Sequence, residues 1–269
     1  MLYGNKFLNQ DIDYNLMKES YENYDKLFEN KYVIESTDES YQEYIDILQE
    51  AEEKKIDADE GYGSDLRPVF IILLYSDTTF DHIAEKFVKN QDYWHAAISF
   101  GPALTHCYSF SFGEANANKI KGGLSFENIK MYSEHETGTM EVNCIFLDEE
   151  KFKELKEVLN YYIKNKEKTK YSFANLLYSL FGKKTKNGTK FNLVCSTFVD
   201  TILKSVKIDL NKGKQTNLVK PDDLKKKKEN KKQFKLFEGK IIKYKVEEVK
   251  KKVEKLAADL KNNFFNKDK

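Results

Sequence analysis

Proline and glycine are scarce in this 269-residue chain, at 3 and 12 residues. That excludes a collagen-like repeat and a linker-dominated chain. Cysteine is scarcer than a disulfide framework needs. The three residues, Cys107, Cys144 and Cys195, are odd in number and widely spaced, with no Cys-x-x-Cys pair. They suit a reducing compartment and give no zinc-finger spacing. Long hydrophobic runs are missing too. The longest, VFIILLY at 69–75, has the length of a strand and is too short to cross a bilayer. The stretch MLYGNKFLNQDIDYN lacks the basic region and apolar run of a secretion signal. The expected location is the cytoplasm or a virion, with no transmembrane segment.

What is present fits a soluble globular protein with a substantial core. Hydrophobic residues make up 40% and charged residues 33%. The net charge of +1 hides an asymmetry. Residues 1–60 carry 17 acidic residues against 6 lysines, whereas residues 204–269 carry 22 lysines against 10 acidic residues. KKKKENKK at 225–232 has no interleaved aromatics. The pattern is read as solvated or mutually attracting faces, and nucleic acid is not an expected partner.

The chain divides into three expected parts. Residues 1–66 read as an acidic helical extension, with apolar stripes over 12–31 and 38–56 forming a hairpin and 57–68 a linker. Residues 67–244 read as the main domain. Its expected strands are 69–75, 94–100, 106–113, SFENI, 139–147 and 234–244. Its expected helices are 78–90, 149–166, 172–181 and one running from Cys195 to about Lys204. Residues 245–269 read as a basic amphipathic helix. Val246, Val249, Val253, Leu256, Leu260 and Phe264 form a stripe suited to docking on the body or on a partner. The fold class is α+β, an antiparallel sheet packed with helices, plus the N-terminal hairpin and the C-terminal helix.

NLVCSTFVD at 192–200 carries the candidate chemistry. It places Cys195 at a helix start, where the dipole favours a thiolate and following N–H groups can stabilise an oxyanion. A nucleophilic thiol also needs an imidazole, itself oriented by a third polar group. His95 opens WHAAISF and His106 opens HCYSFSFG, with Gly101-Pro102 between them. A hairpin there is expected to bring the two histidines together. His82 and His135 have no comparable setting. A buried cysteine at a helix start is usually just a small hydrophobe in the core. Zinc held by Cys107, His95 and His106 is disfavoured, because alternation puts Cys107 and His106 on opposite faces.

The order of these pieces resembles the circularly permuted papain-like cysteine hydrolases of the YiiX/YebB-like group, within the NlpC-type superfamily. The resemblance covers 68–244: VFIILLYS, YWHAAISF, HCYSFSFG, GGLSFENI, EVNCIFL, FNLVCSTFVDTIL, VKPDDL and FKLFEGKII. It implies Cys195 as nucleophile, His95 as general base, and His106 in the place of the orienting residue. Many members carry Glu at that place, and acyltransferase relatives carry His. Tyr75 ends the first strand where the family often has Tyr, and is expected to line the site. The implied function is a thiol hydrolase acting on a peptide or acyl substrate, foremost a peptidoglycan stem peptide, without cofactor or metal. Two rival readings remain open. One is a structural or adaptor protein whose terminal helices bind an assembly such as a phage particle. The other is a lipid acyl hydrolase or acyltransferase.

Overall fold

The structure, a computed structural model, describes residues 66–76, 91–111, 115–116, 119–120, 122–132, 137–171 and 190–265. The expected helices at 12–31, 38–56, 78–90 and 172–181 lie outside these residues, as do His82 and His135.

The strands run in chain order as β1 (Leu66–Tyr75), β2 (His95–Ser99), β3 (Cys107–Ser111), β4 (Ala115–Asn116), β5 (Lys119–Ile120), β6 (Gly123–Glu127), β7 (Thr139–Asp148), β8 (Lys170–Tyr171), β9 (Asn192–Leu193) and β10 (Gln233–Lys240). The helices are α1 (Glu149–Lys164), α2 (Cys195–Ser205) and α3 (Val246–Phe265). Six strands make one antiparallel sheet in the order β10-β7-β1-β2-β3-β6. The fold is α+β, and no described helix is long and apolar enough to cross a membrane.

β1 lies inside the sheet and is covered on both faces, which is why it reads as an unbroken apolar run. It starts earlier than the change of pattern at Pro68 led us to expect. Leu66 to Val69 pair only with β7, while β2 pairs from Phe70 onward. The missing N–H of Pro68 therefore costs no bond to β2.

Alternation then sorts the side chains. Val69, Ile71 and Leu73 join Ile145, Leu147 and the apolar faces of α1 and α2 in one core. Phe70, Ile72 and Leu74 join Met140, Val142 and Cys144 in the other. α3 closes this second core with Val249 and Val253. The C-terminal stripe thus docks on the body of the protein. Each buried valine contributes about 1.5–3 kcal/mol relative to an exposed one.

α1 begins at the N-cap Asp148, whose carboxylate accepts the Lys151 N–H at 2.9 Å. Beyond its C-terminus, Thr169 meets β6. The Leu124 N–H donates to Thr169 Oγ1 at 2.9 Å. A Cβ on Gly123 would lie 2.5 Å from that same oxygen, so only glycine permits the approach.

Candidate active site

Cys195 is the first residue of α2. The N-cap Val194 is extended, with φ −111° and ψ 168°, and its side chain caps nothing. Thr197 takes the reciprocal part instead: its hydroxyl accepts the Val194 N–H at 2.9 Å. The positive end of the helix thus meets the thiol with no side-chain acceptor from residue 194. Ser196 ties this helix start to the following loop by donating to the Val219 carbonyl at 2.7 Å.

His95 begins β2 and pairs with Leu74 of β1. The loop leading into it is pinned from across the chain. Asp222 accepts the N–H groups of Asp92 and Tyr93 at 3.0 and 2.9 Å. Lys225 pairs with Asp92 and lies over the Tyr93 ring at 5.3 Å. The first aspartate of VKPDDL therefore fixes the approach to the histidine. The Cys195 Sγ lies 3.9 Å from the carbonyl oxygen of Trp94, the residue just before His95.

The His95 imidazole has two polar neighbours. The Cys195 thiol is near enough to act on its charge. Its Nε2 lies 2.8 Å from Glu127 Oε2. With Nε2 taken by the carboxylate, Nδ1 is the ring nitrogen left for sulfur. Burial pushes the His95 pKa down, but the Glu127 charge, the hydrogen bond with Glu127 and the nearby Cys195 sulfur outweigh it and hold His95 well above the usual imidazole range. Burial pushes Glu127 up, and the facing His95 with donors from His95, Ser125 and Tyr132 holds it below the usual carboxylate range. The arrangement favours an imidazolium held between a carboxylate and a sulfur.

The other expected residues fall as follows. His106 stands apart from His95. β2 and β3 pair Ser99 with Cys107, so His106 lies beside the end of β2 while His95 lies at its start. The antiparallel register separates the two histidines that the hairpin was expected to join. His106 Nδ1 meets the Thr105 hydroxyl at 3.1 Å, and burial lowers its pKa. Glu127, and not His106, is the residue beside the His95 imidazole. Tyr75 follows the Leu74–His95 pair at the same end of the sheet and packs against the core that contains Cys195. Cys107 and Cys144 are buried thiols whose pKa burial pushes up. Among the described residues no group of three or more His, Cys, Asp or Glu is placed to hold a metal ion.

Glu127 escaped the sequence reading, although SFENI was read as a strand. An acid in a short strand normally marks an exposed position. The one signal was its apolar company, since Leu124 and Phe126 alternate with it. Compared with protein-family models, curated proteins and solved structures, the chain matches none of them.

Proposed function

We propose that this protein is a thiol hydrolase with a permuted papain-like, NlpC-type arrangement, in which Cys195 is the nucleophile, His95 the general base and Glu127 the group that orients His95. The observation that carries the reading is an imidazole that meets a buried carboxylate through Nε2, with the Cys195 thiol packed against the carbonyl of the preceding residue, Trp94. In the reaction, Sγ attacks the carbonyl carbon of an amide or ester. His95 gives its proton to the leaving nitrogen or oxygen as that bond breaks, and a thioester remains. Water then attacks the thioester, His95 takes its proton, and the acid and thiol are released. The N–H groups at the start of α2 would stabilise the oxyanion. A peptidoglycan stem peptide is the preferred substrate class, by resemblance, with an acyl ester or thioester second.

The rate of Cys195 alkylation against pH tests this reading. The expected midpoint lies well below the free-thiol value of about 8.5 and rises in His95→Ala. Turnover of muropeptides or acyl esters should vanish in Cys195→Ala while the fold remains. A second reading has its own observation: Cys195 is only 2% exposed and packs with the core. An inert thiol with an unperturbed pH profile would assign the chain to a structural or adaptor role.

A further inference from the structure

Glu127 is buried, and a buried carboxylate needs partners for both oxygens. The short segment around it supplies them. Ser125, two residues earlier on β6, donates to Glu127 Oε1 at 2.9 Å. β6 then runs into a one-turn 3-10 helix at Ile129–Tyr132, tied down by the Ile129 N–H to the Leu104 carbonyl at 3.0 Å. This turn folds Tyr132 back, and its hydroxyl donates to Glu127 Oε2 at 2.9 Å. That is the same oxygen that faces His95 Nε2. The Tyr132 ring also lies 6.1 Å from the His95 ring, centroid to centroid.

We infer that Tyr132 and Ser125 are positioning residues of the active site, which hold the Glu127 carboxylate by its two oxygens so that Oε2 stays aimed at His95. The inference rests on the reading of His95 as the base. A carboxylate on a flexible three-carbon side chain has several rotamers. With one donor on each oxygen, only the rotamer that meets the imidazole keeps all its bonds. The groups facing Glu127 are few: His95 from β2, the buried Cys107 thiol from β3, Ser125 from its own strand and Tyr132 from the turn. His95 in turn faces Cys195 from α2. His95 is the only one of these able to bring a positive charge to the carboxylate.

The test is the titration of His95 followed by NMR of its imidazole in the full chain. The variants are Tyr132→Phe, Ser125→Ala, Glu127→Gln and the double variant Tyr132→Phe/Glu127→Gln. Tyr132→Phe keeps the ring and removes one oxygen, and the amide spectrum reports whether each variant is folded. The expected result is a fall in the His95 midpoint of about half to one pH unit in Tyr132→Phe, the scale of one charge-assisted hydrogen bond. Ser125→Ala should lower it by less, because it releases the oxygen that does not face the imidazole. Glu127→Gln should lower it most. In that background Tyr132→Phe should add nothing, since a purely structural role for the tyrosine would act with or without the carboxylate. An unchanged or higher midpoint in Tyr132→Phe, or an equal shift in the Glu127→Gln background, overturns the inference. Failure of the hydrolase reading shows separately, as a Cys195 alkylation profile that His95→Ala does not move.

Discussion

Glu127 and Glu141 are both carboxylates buried in the same sheet, with 5% and 0% of their surface exposed. Their surroundings differ in one respect that decides what each can do. Glu141 Oε1 accepts from Asn143 Nδ2 at 2.7 Å and from the Lys226 N–H at 2.9 Å, and the Lys235 ammonium lies 2.9 Å from Oε2. An amide, a backbone group and a lysine keep their charge across the neutral range. Glu127 faces an imidazole, which does not. The first carboxylate is bound into a fixed network that joins β7 to β10 and to the loop before β10. The second is bound to a group that can gain and lose a proton beside a thiol. Burial alone does not distinguish these two carboxylates, and the partner does.

The largest effect expected from testing this contrast is on stability. Glu141→Ala removes the acceptor for three donors and should cost about 3 kcal/mol, read by urea denaturation. It should leave the pH profile of Cys195 alkylation in place, and a moved profile would merge the two carboxylates into one network. Next comes His95→Ala, which should slow turnover by about two orders of magnitude or more, the scale of a general base, and move the alkylation midpoint upward. Glu127→Gln should have a smaller effect in the same direction, because the imidazole stays but loses its counter-charge. His106→Ala should leave the midpoint where it is. A rise equal to that of Glu127→Gln would return His106 to the role expected from the sequence.

The same pair sets a pH window. His95 is held above its unfolded value, so its contribution to stability is complete below about pH 6.5 and is lost as pH rises through the folded value. Glu127 is held below its unfolded value, so its contribution is present above about pH 4.3 and is lost as pH falls through the folded value. The stability difference between wild type and Glu127→Gln should therefore peak between about pH 4.3 and 6.5. A flat difference across pH 4 to about 8 would mean that the pair is not ionic.

The strands were legible because their periodicity and punctuation agree. WHAAISF, HCYSFSFG and TMEVNCIFL alternate between the two cores, and α1 has an acidic cap and first turn. Cys195 was legible because a helix start with a thiol is a local pattern. The partner of His95 was not legible. A histidine at the start of each strand suggested a pair, but position in an antiparallel hairpin depends on register. Register is set here by a loop that ends with Ser99 opposite Cys107. Glu127 was hidden for a related reason. Its burial is made by Tyr132 folding back and by His95, 32 residues earlier in the chain. Such contacts leave no periodic trace. Asp222, which grips the loop before His95 from 130 residues away, was likewise quoted only as part of a motif.

The chain order of the site also matters while the protein is being made. Trp94 and Cys195 are 101 residues apart, with His95 and Glu127 on the early side. At a translation rate of roughly 5–20 residues per second, the imidazole and its carboxylate emerge some seconds before the sulfur. The thiol arrives last, after β1 and β7 have been synthesised. Cys195 becomes a neighbour of His95 only by docking α2 against β2, so an unfinished or unfolded chain holds an ordinary cysteine. If Cys195 is the nucleophile we propose, its pairing with the imidazole waits on completion of the fold.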